Sequence, residues 1–190
     1  MPTFRTGEMF RASGFIIVTA NSFLTSEVKL VMGRGAALQL KRKEPGIDLE
    51  FGKKIHERCG HLGFYGLIFH RRYGLAQVKC RFNERARVGL IRISMSMLGN
   101  VARRDRGRIF NVNFPGIGNG GLKRHQVESL LRDLPENVHV WEKEGGLVYG
   151  LHPGVESKSI LHPPENSLGL GGSHDRSDGD GLRACSANRG

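Results

Sequence analysis

The sequence predicts an α/β fold, a sheet covered on both faces by helices. Three observations carry that expectation. Short apolar runs suited to strands alternate with segments of helical period from Gly14 to Glu142. At 190 residues with a 38% apolar share, the chain can bury one sizeable core rather than two. Two glycine-rich stretches, "MGRGAALQLK" from Met32 and "PGIGNGGL" from Pro115, fall where a strand gives way to a helix, the ligand-binding position in open α/β sheets.

The elements follow in order. "GFIIVTAN" (Gly14–Asn21) is a short apolar run bounded by polar residues and reads as a strand buried on both faces. A helix follows Gly35, with Ala36, Ala37, Leu38 and Leu40 on its buried side and Pro45–Gly46 as its stop. A shorter helix covers Leu49–Glu57. "GLIFH" (Gly66–His70) and "LAQVK" (Leu75–Lys79) are strands around a turn at Arg71–Gly74. Leu90, Ile91, Met97, Leu98 and Val101 share one face of a helix running from Ala86 to near Arg103. "RIFNVNF" (Arg108–Phe114) is the next strand. Val127, Leu130, Leu131 and Leu134 mark a helix from near Lys123, and "NVHVWE" (Asn137–Glu142) is the last strand.

Composition divides the chain near Gly150. Residues 151–190 lack apolar periodicity and are crowded with Gly, Ser, Pro, Asp and Asn, so they are expected to form a flexible or disordered tail behind a single domain of residues 1–150. The net charge of +11 belongs to that domain: residues 1–150 hold 25 Lys and Arg against 13 Asp and Glu, residues 151–190 only 4 against 5. Such an excess attracts polyanions, nucleic acid among them, although a solvated surface tuned for solubility has the same composition. No run approaches the ~18 apolar residues that cross a bilayer, and the start "MPTFRTGEMFRASGFIIV" lacks a secretory pattern. Cys59, Cys80 and Cys185 have no disulfide-like spacing. A cytoplasmic monomer without membrane partner, cofactor or metal is expected.

Glycine lets a backbone approach a bulky anion, and the free N–H groups at a helix start favour negative charge. Two such turns in one domain can grip a diphosphate from both sides. Neither stretch has a Gly-Lys-Ser/Thr end, and "GNGGL" lacks dinucleotide-binding spacing, which disfavours a P-loop NTPase and a Rossmann dehydrogenase.

Taken in order, "VTANSF" (Val18–Phe23), "VMGRGAALQLKRKEPG" (Val31–Gly46), a strand ending "QVK" (Gln77–Lys79) and "GIGNGGL" (Gly116–Leu122) resemble the macrodomain family. The similarity is greatest to the branch of terminal ADP-ribose protein glycohydrolases and of antitoxins that remove ADP-ribose from thymidine in DNA, and extends to small phage and bacterial macrodomain proteins. The resemblance implies a three-layer α/β/α macrodomain with a mixed central sheet, whose cleft takes ADP-ribose or an ADP-ribosylated substrate. It would place Met32, Gly33, Arg34, Gly35 and Ala36 in a first diphosphate loop and Gly116, Ile117, Gly118, Asn119, Gly120 and Gly121 in a second. Asn21 would lie by the distal ribose. An acidic residue of the adenine pocket is aligned only loosely, with Glu8 as the nearest match. Lys79 would be the catalytic nucleophile, attacking the anomeric carbon of the distal ribose, which requires an unprotonated amine and hence a pKa below the free value of ~10.4.

One departure separates this chain from the glycohydrolases. They follow the second loop with an acidic residue, often as "GGLDW", whereas this chain reads "GGLKRHQV" with Lys123 and Arg124 there and His125 next. A missing carboxylate slows turnover or leaves binding alone, and the two cations would add positive charge at the cleft rim. Four activities therefore stay open: an ADP-ribosyl glycohydrolase acting on nucleic acid or protein, a non-catalytic ADP-ribose reader, an ADP-ribose 1″-phosphate phosphatase, and a basic nucleic-acid-binding module. "HERCGH" (His56–His61) offers three zinc-type ligands without a fourth. Alternation along a continuing strand would point Cys80 away from Lys79 and Arg81 toward it. "RRDRGR" (Arg103–Arg108) is a cationic turn with no interleaved aromatics to stack bases.

Overall fold

The structure, a computed structural model, describes residues 1–59 and 63–143. Six strands form one sheet: β1 (Thr3–Thr6), β2 (Phe15–Ala20), β3 (Leu67–His70), β4 (Tyr73–Gln77), β5 (Phe110–Asn113) and β6 (Val138–Glu142). Their order is β1-β6-β5-β2-β4-β3, with every neighbouring pair parallel except β3 and β4. The sheet is therefore mixed, with its one antiparallel pair at an edge. Four α-helices cover it: α1 (Gly35–Lys43), α2 (Ile47–Cys59), α3 (Val88–Arg104) and α4 (Arg124–Leu131).

Alternation along the strands sends side chains to two separate cores. Ile16, Val18 and Ala20 of β2 join Leu75, Leu40, Phe51 and Ile55 beneath α1 and α2. Ile17 joins Val112, Val140, Ile91, Leu98, Val127 and Leu131 beneath α3 and α4. Both faces of β2 are thus apolar, as a central parallel strand requires, and the molecule has the expected three layers. At roughly 25 cal/mol per Å² of apolar surface, each fully buried Ile or Leu contributes about 2 kcal/mol.

The predicted elements are all present, with shifted ends. Helix α2 starts at Ile47, directly after Pro45–Gly46, and runs to Cys59. Strands β3 and β4 turn at Arg71–Arg72, where Arg71 takes φ 53°, so β4 begins at Tyr73 and ends at Gln77. Lys79 consequently lies two residues past the strand, and the alternation argument for Cys80 and Arg81 does not apply. Strand β1 and the 3-10 turn at Met9–Arg11 lie outside the predicted pattern; β1 pairs with β6 yet leaves Phe4, Arg5 and Thr6 exposed. The tail from Leu151 onward and His61 lie outside the described residues.

Helix α2 owes its seat to a glycine. A Cβ on Gly52 would stand 1.8 Å from the carbonyl oxygen of Val28 and 3.1 Å from the Leu30 nitrogen, main-chain atoms that yield only if the segment shifts. Gly52→Ala is expected to destabilise the fold by about 3 kcal/mol, at the upper end of overpacking costs, measured as a lower urea midpoint at unchanged slope.

Candidate functional site

The chain leaves the carboxyl end of β2 toward the β4-β3 side of the sheet and leaves that of the neighbouring parallel strand β5 toward β6 on the other side, so connections from adjacent strands run in opposite directions. This is a topological switch point, where loops part and open a crevice. A cleft of about 330 Å³ lies there, at the lower end of the ~300–1,000 Å³ common for small-molecule sites. Gly7, Glu8, Met9 and Phe10 line one end; Gly35, Ala36 and Gln39 of α1 form one wall; Ile117, Gly118 and Asn119 form the facing wall; Asn113, Phe114 and Trp141–Lys143 form the floor and far side.

The first wall is a helix start. Arg34 stands in extended backbone as the residue before α1 and offers no side-chain cap, and Gly35 follows with φ 58°. The first N–H groups of an α-helix have no partner inside it, which leaves those of Gly35 and Ala36 free, and both residues line the cleft. The second wall differs from expectation. "GIGNGG" closes on a single 3-10 turn (Gly118–Gly120), and α4 begins only at Arg124, with the Lys123 N–H donating to Gln126 Oε1 at 2.8 Å. The second loop therefore does not open directly onto a helix, because its positive φ angles at Gly116, Gly118 and Gly121 curl the chain back on itself. Gly120, Gly121 and Leu122 donate their N–H groups to Ile117, Gly118 and Gly116. Those of Ile117, Gly118 and Asn119 make no hydrogen bond among the described residues, and these three residues line the cleft. Successive free amides of this kind form an anion nest. The two walls come close enough that a Cβ on Gly35 would lie 3.2 Å from Asn119 Nδ2.

Of the remaining sequence-predicted residues, Met32 is buried in the core beneath α1, while Gly33 and Arg34 are exposed. Gly116 is buried where a Cβ would strike Ile91 and Leu122, and Gly120 accepts from Ala86 N at 2.8 Å, so both shape the loop from behind. Arg85 lies over the loop and donates to Gly121 O at 2.7 Å. Asn21 is buried with both ends of its amide engaged: Nδ2 donates to Val31 O and Oδ1 accepts from Phe23 N, each at 2.8 Å. It braces the turn after β2. Glu8 lines the cleft.

Lys79 stands beyond the cleft wall, half-buried, with Asn119 between. Its Nζ donates to Phe82 O at 3.0 Å, to Glu84 O at 3.1 Å and more loosely to Asn119 O at 3.5 Å. Three carbonyls suit an ammonium. Burial nevertheless pulls the Lys79 pKa below its ordinary value, and the Arg34 guanidinium pulls it the same way, against the opposing charge of Glu84. The turn from Arg81 to Glu84 that supplies two of these carbonyls is itself held by the Glu84 carboxylate, which accepts from Arg81 N and from Arg87, both at 3.3 Å.

Lys123 and Arg124 do not act alike. Lys123 is exposed, whereas Arg124 pairs with Glu142 and Glu128 and lies 4.9 Å above the Phe114 ring. Arg124 therefore braces the back of the cleft, and its charge is compensated. His125 is exposed. His56 is exposed and Cys59 donates to Phe64 O at 2.9 Å; no group of three His, Cys, Asp or Glu among the described residues could hold a metal ion. No helix among the described residues is long and apolar enough to cross a membrane.

The sequence reading missed Phe10, Gln39, Asn113 and Trp141. Two signals were available: Trp141 is the only tryptophan of the chain, and Asn113 is a polar residue at the carboxyl end of a buried strand. Its amide is fixed against Thr19, with Nδ2 to Oγ1 and Thr19 N to Oδ1 at 2.8 Å. The Trp141 indole donates to the buried Asn111 at 2.9 Å.

Because the Arg34 charge disfavours a second cation, Arg34→Gln is expected to raise the Lys79 pKa, and Glu84→Gln to lower it. Titration of the isotope-labelled lysine by NMR reads both, and parallel shifts in the two variants would contradict this electrostatic account.

No family model and no curated protein matches the sequence. Solved structures do. The macrodomain of Thermus aquaticus DarG is 25% identical, the match covering 76% of this chain and 98% of that one, with a TM-score of 0.57. The macrodomain of Mycobacterium tuberculosis DarG is 24% identical over 74% and 97% of the two chains, with a TM-score of 0.55. Thermosipho africanus DarTG, solved in complex with ADP-ribose, is 18% identical with a TM-score of 0.54, the match covering 77% of this chain and 42% of that one. With the six-stranded mixed sheet and its layers of helices, these matches carry the conclusion that the chain has the macrodomain fold.

Proposed function

We propose that this protein binds ADP-ribose in the cleft and hydrolyses ADP-ribosyl linkages through Lys79. One observation carries the binding reading: two sets of residues with unpaired main-chain amides, Gly35 and Ala36 on one side and Ile117, Gly118 and Asn119 on the other, line one crevice. Amides from both sides suit a diphosphate better than any neutral ligand. A related fold solved with ADP-ribose supports the choice of ligand. Seating the diphosphate requires the Asn119 side chain to swing away from Gly35, which widens the narrow crevice. The aromatic end beside Phe10 and Trp141, with Glu8 at its rim, then suits the adenosine, and the distal ribose extends past Asn119 toward Lys79.

For catalysis, Lys79 must first lose a proton. The neutral amine attacks C1″, forming an N–C bond as the bond from C1″ to the acceptor breaks, and the acceptor leaves with a proton. Water then cleaves the adduct, releasing ADP-ribose and restoring the amine. Burial and Arg34 favour the neutral form, as the step requires. The carbonyl cage around Nζ favours the ammonium, and with no carboxylate at Lys123 it is the specific observation that supports the second reading, a binding module without turnover.

Titration calorimetry and Trp141 fluorescence are expected to report saturable ADP-ribose binding. Gly35→Val is expected to weaken it by about tenfold or more, since the side chain strains φ and closes the gap to Asn119. Lys79→Ala should bind ADP-ribose within about threefold of wild type, well under ~1 kcal/mol, yet release none from ADP-ribosylated oligonucleotide or peptide. Release that survives Lys79→Ala overturns the nucleophile; absence of release from wild type selects the reader. Release of phosphate from ADP-ribose 1″-phosphate by Lys79→Ala would identify a phosphatase.

A further inference from the structure

Two aromatic rings stand in water beside the lysine. Phe23 is 38% exposed and Phe82 is 50% exposed, and they meet edge to face with centroids 5.5 Å apart. Neither belongs to a hydrophobic core. Their backbones are fixed at the site itself: Phe82 supplies a carbonyl to Lys79 Nζ, Phe23 N donates to Asn21, and Phe23 O accepts from Val31, next to the first glycine loop. Exposed large apolar groups anchored this firmly mark a contact surface rather than a packing remnant. Arg81 directly precedes Phe82, and Arg34 is close enough to Lys79 for its charge to act there; both are exposed, and no described residue forms an ion pair with either.

From this juxtaposition we infer that Phe23 and Phe82 form a base-stacking platform for a single-stranded nucleic acid, with Arg34 and Arg81 holding its phosphates. The inference rests on the proposed site only in placing that strand where the acceptor would leave Lys79. Charge decides the class of partner: rings rimmed by unpaired cations fit a chain of flat bases on an anionic backbone, while an acidic peptide would satisfy the cations and leave the rings in water. Stacking on an aromatic side chain is sequence-tolerant, because every base has a π face. The edge-to-face arrangement leaves each ring a free face, so two consecutive bases can be accommodated.

The test uses the whole chain and a labelled single strand of about ten nucleotides of mixed sequence, within the ~4–16-nucleotide span of single-strand sites. Fluorescence anisotropy is expected to show that Phe23→Ala/Phe82→Ala binds it about tenfold or more weakly than wild type, with an unchanged slope of log affinity against log salt. An abasic strand of equal length should bind wild type as weakly as the unmodified strand binds the variant. Phe82→Trp should retain full affinity, and ADP-ribose binding by the double variant should match wild type, which shows that it folds. Equal affinity of wild type and double variant, or of abasic and mixed strands, overturns the platform. Equal loss of release from ADP-ribosylated peptide and oligonucleotide assigns the rings to a protein acceptor and overturns it as well. Should wild type bind the strand through these rings but not ADP-ribose, the cleft reading fails while the platform stands.

Discussion

The geometry of the site depends on one buried amide. Gln77, the last residue of β4 and fully buried, accepts at Oε1 from Tyr65 N and Gly66 N and donates from Nε2 to Gly63 O. Its own carbonyl accepts from the buried Ser94 hydroxyl of α3, and the Tyr65 hydroxyl donates to Asn21 O at the end of β2. Each buried donor or acceptor left unpaired would cost roughly 1–3 kcal/mol, so the set holds together or fails together. Its effect is to fix where β2 and β4 stop. Everything beyond, the turn that carries Phe23 and the turn that carries Lys79, starts from that stop.

From this frame the two functional regions follow by different physics. The cleft is main chain: its proposed recognition groups are amides exposed by a helix start and by a loop curled too tightly to pair them internally. Side chains contribute mainly shape there, through Phe10, Phe114 and Trp141. The lysine region is the reverse, a single cation enclosed by carbonyls and flanked by charged and aromatic side chains. Asn119 belongs to both, with its side chain beside Gly35 and its carbonyl toward Nζ.

The layered fold was legible because apolar runs of two periods alternate without ambiguity over Ile16–Ala20, Leu38–Leu40, Leu90–Val101 and Val127–Leu134. Strand β1 was not, since an edge strand with three of four residues in solvent carries no burial signal. The end of β4 was misplaced because "LAQVK" alternates as well as any strand, whereas the real limit is set by the side-chain bonds of Gln77 to residues more than ten positions away. The glycine stretches were conspicuous as text, but which of their amides stay free depends on loop closure, which spacing does not encode. Phe10 and Trp141 come together only through the parallel pairing of β1 with β6, a long-range contact between the two ends of the domain. Arg124 reads as one more rim cation and proves to be compensated, because Glu142 reaches it from the far end of β6.

The two walls of the crevice belong to different layers of the molecule. The α1 wall rests on the core that contains Phe51 and Leu40, while the loop opposite is backed by Gly116 against Ile91 of α3, in the other core. An anion lodged between them, as proposed, would act as a cross-brace, so that occupancy would be felt as rigidity in helices that never touch the ligand.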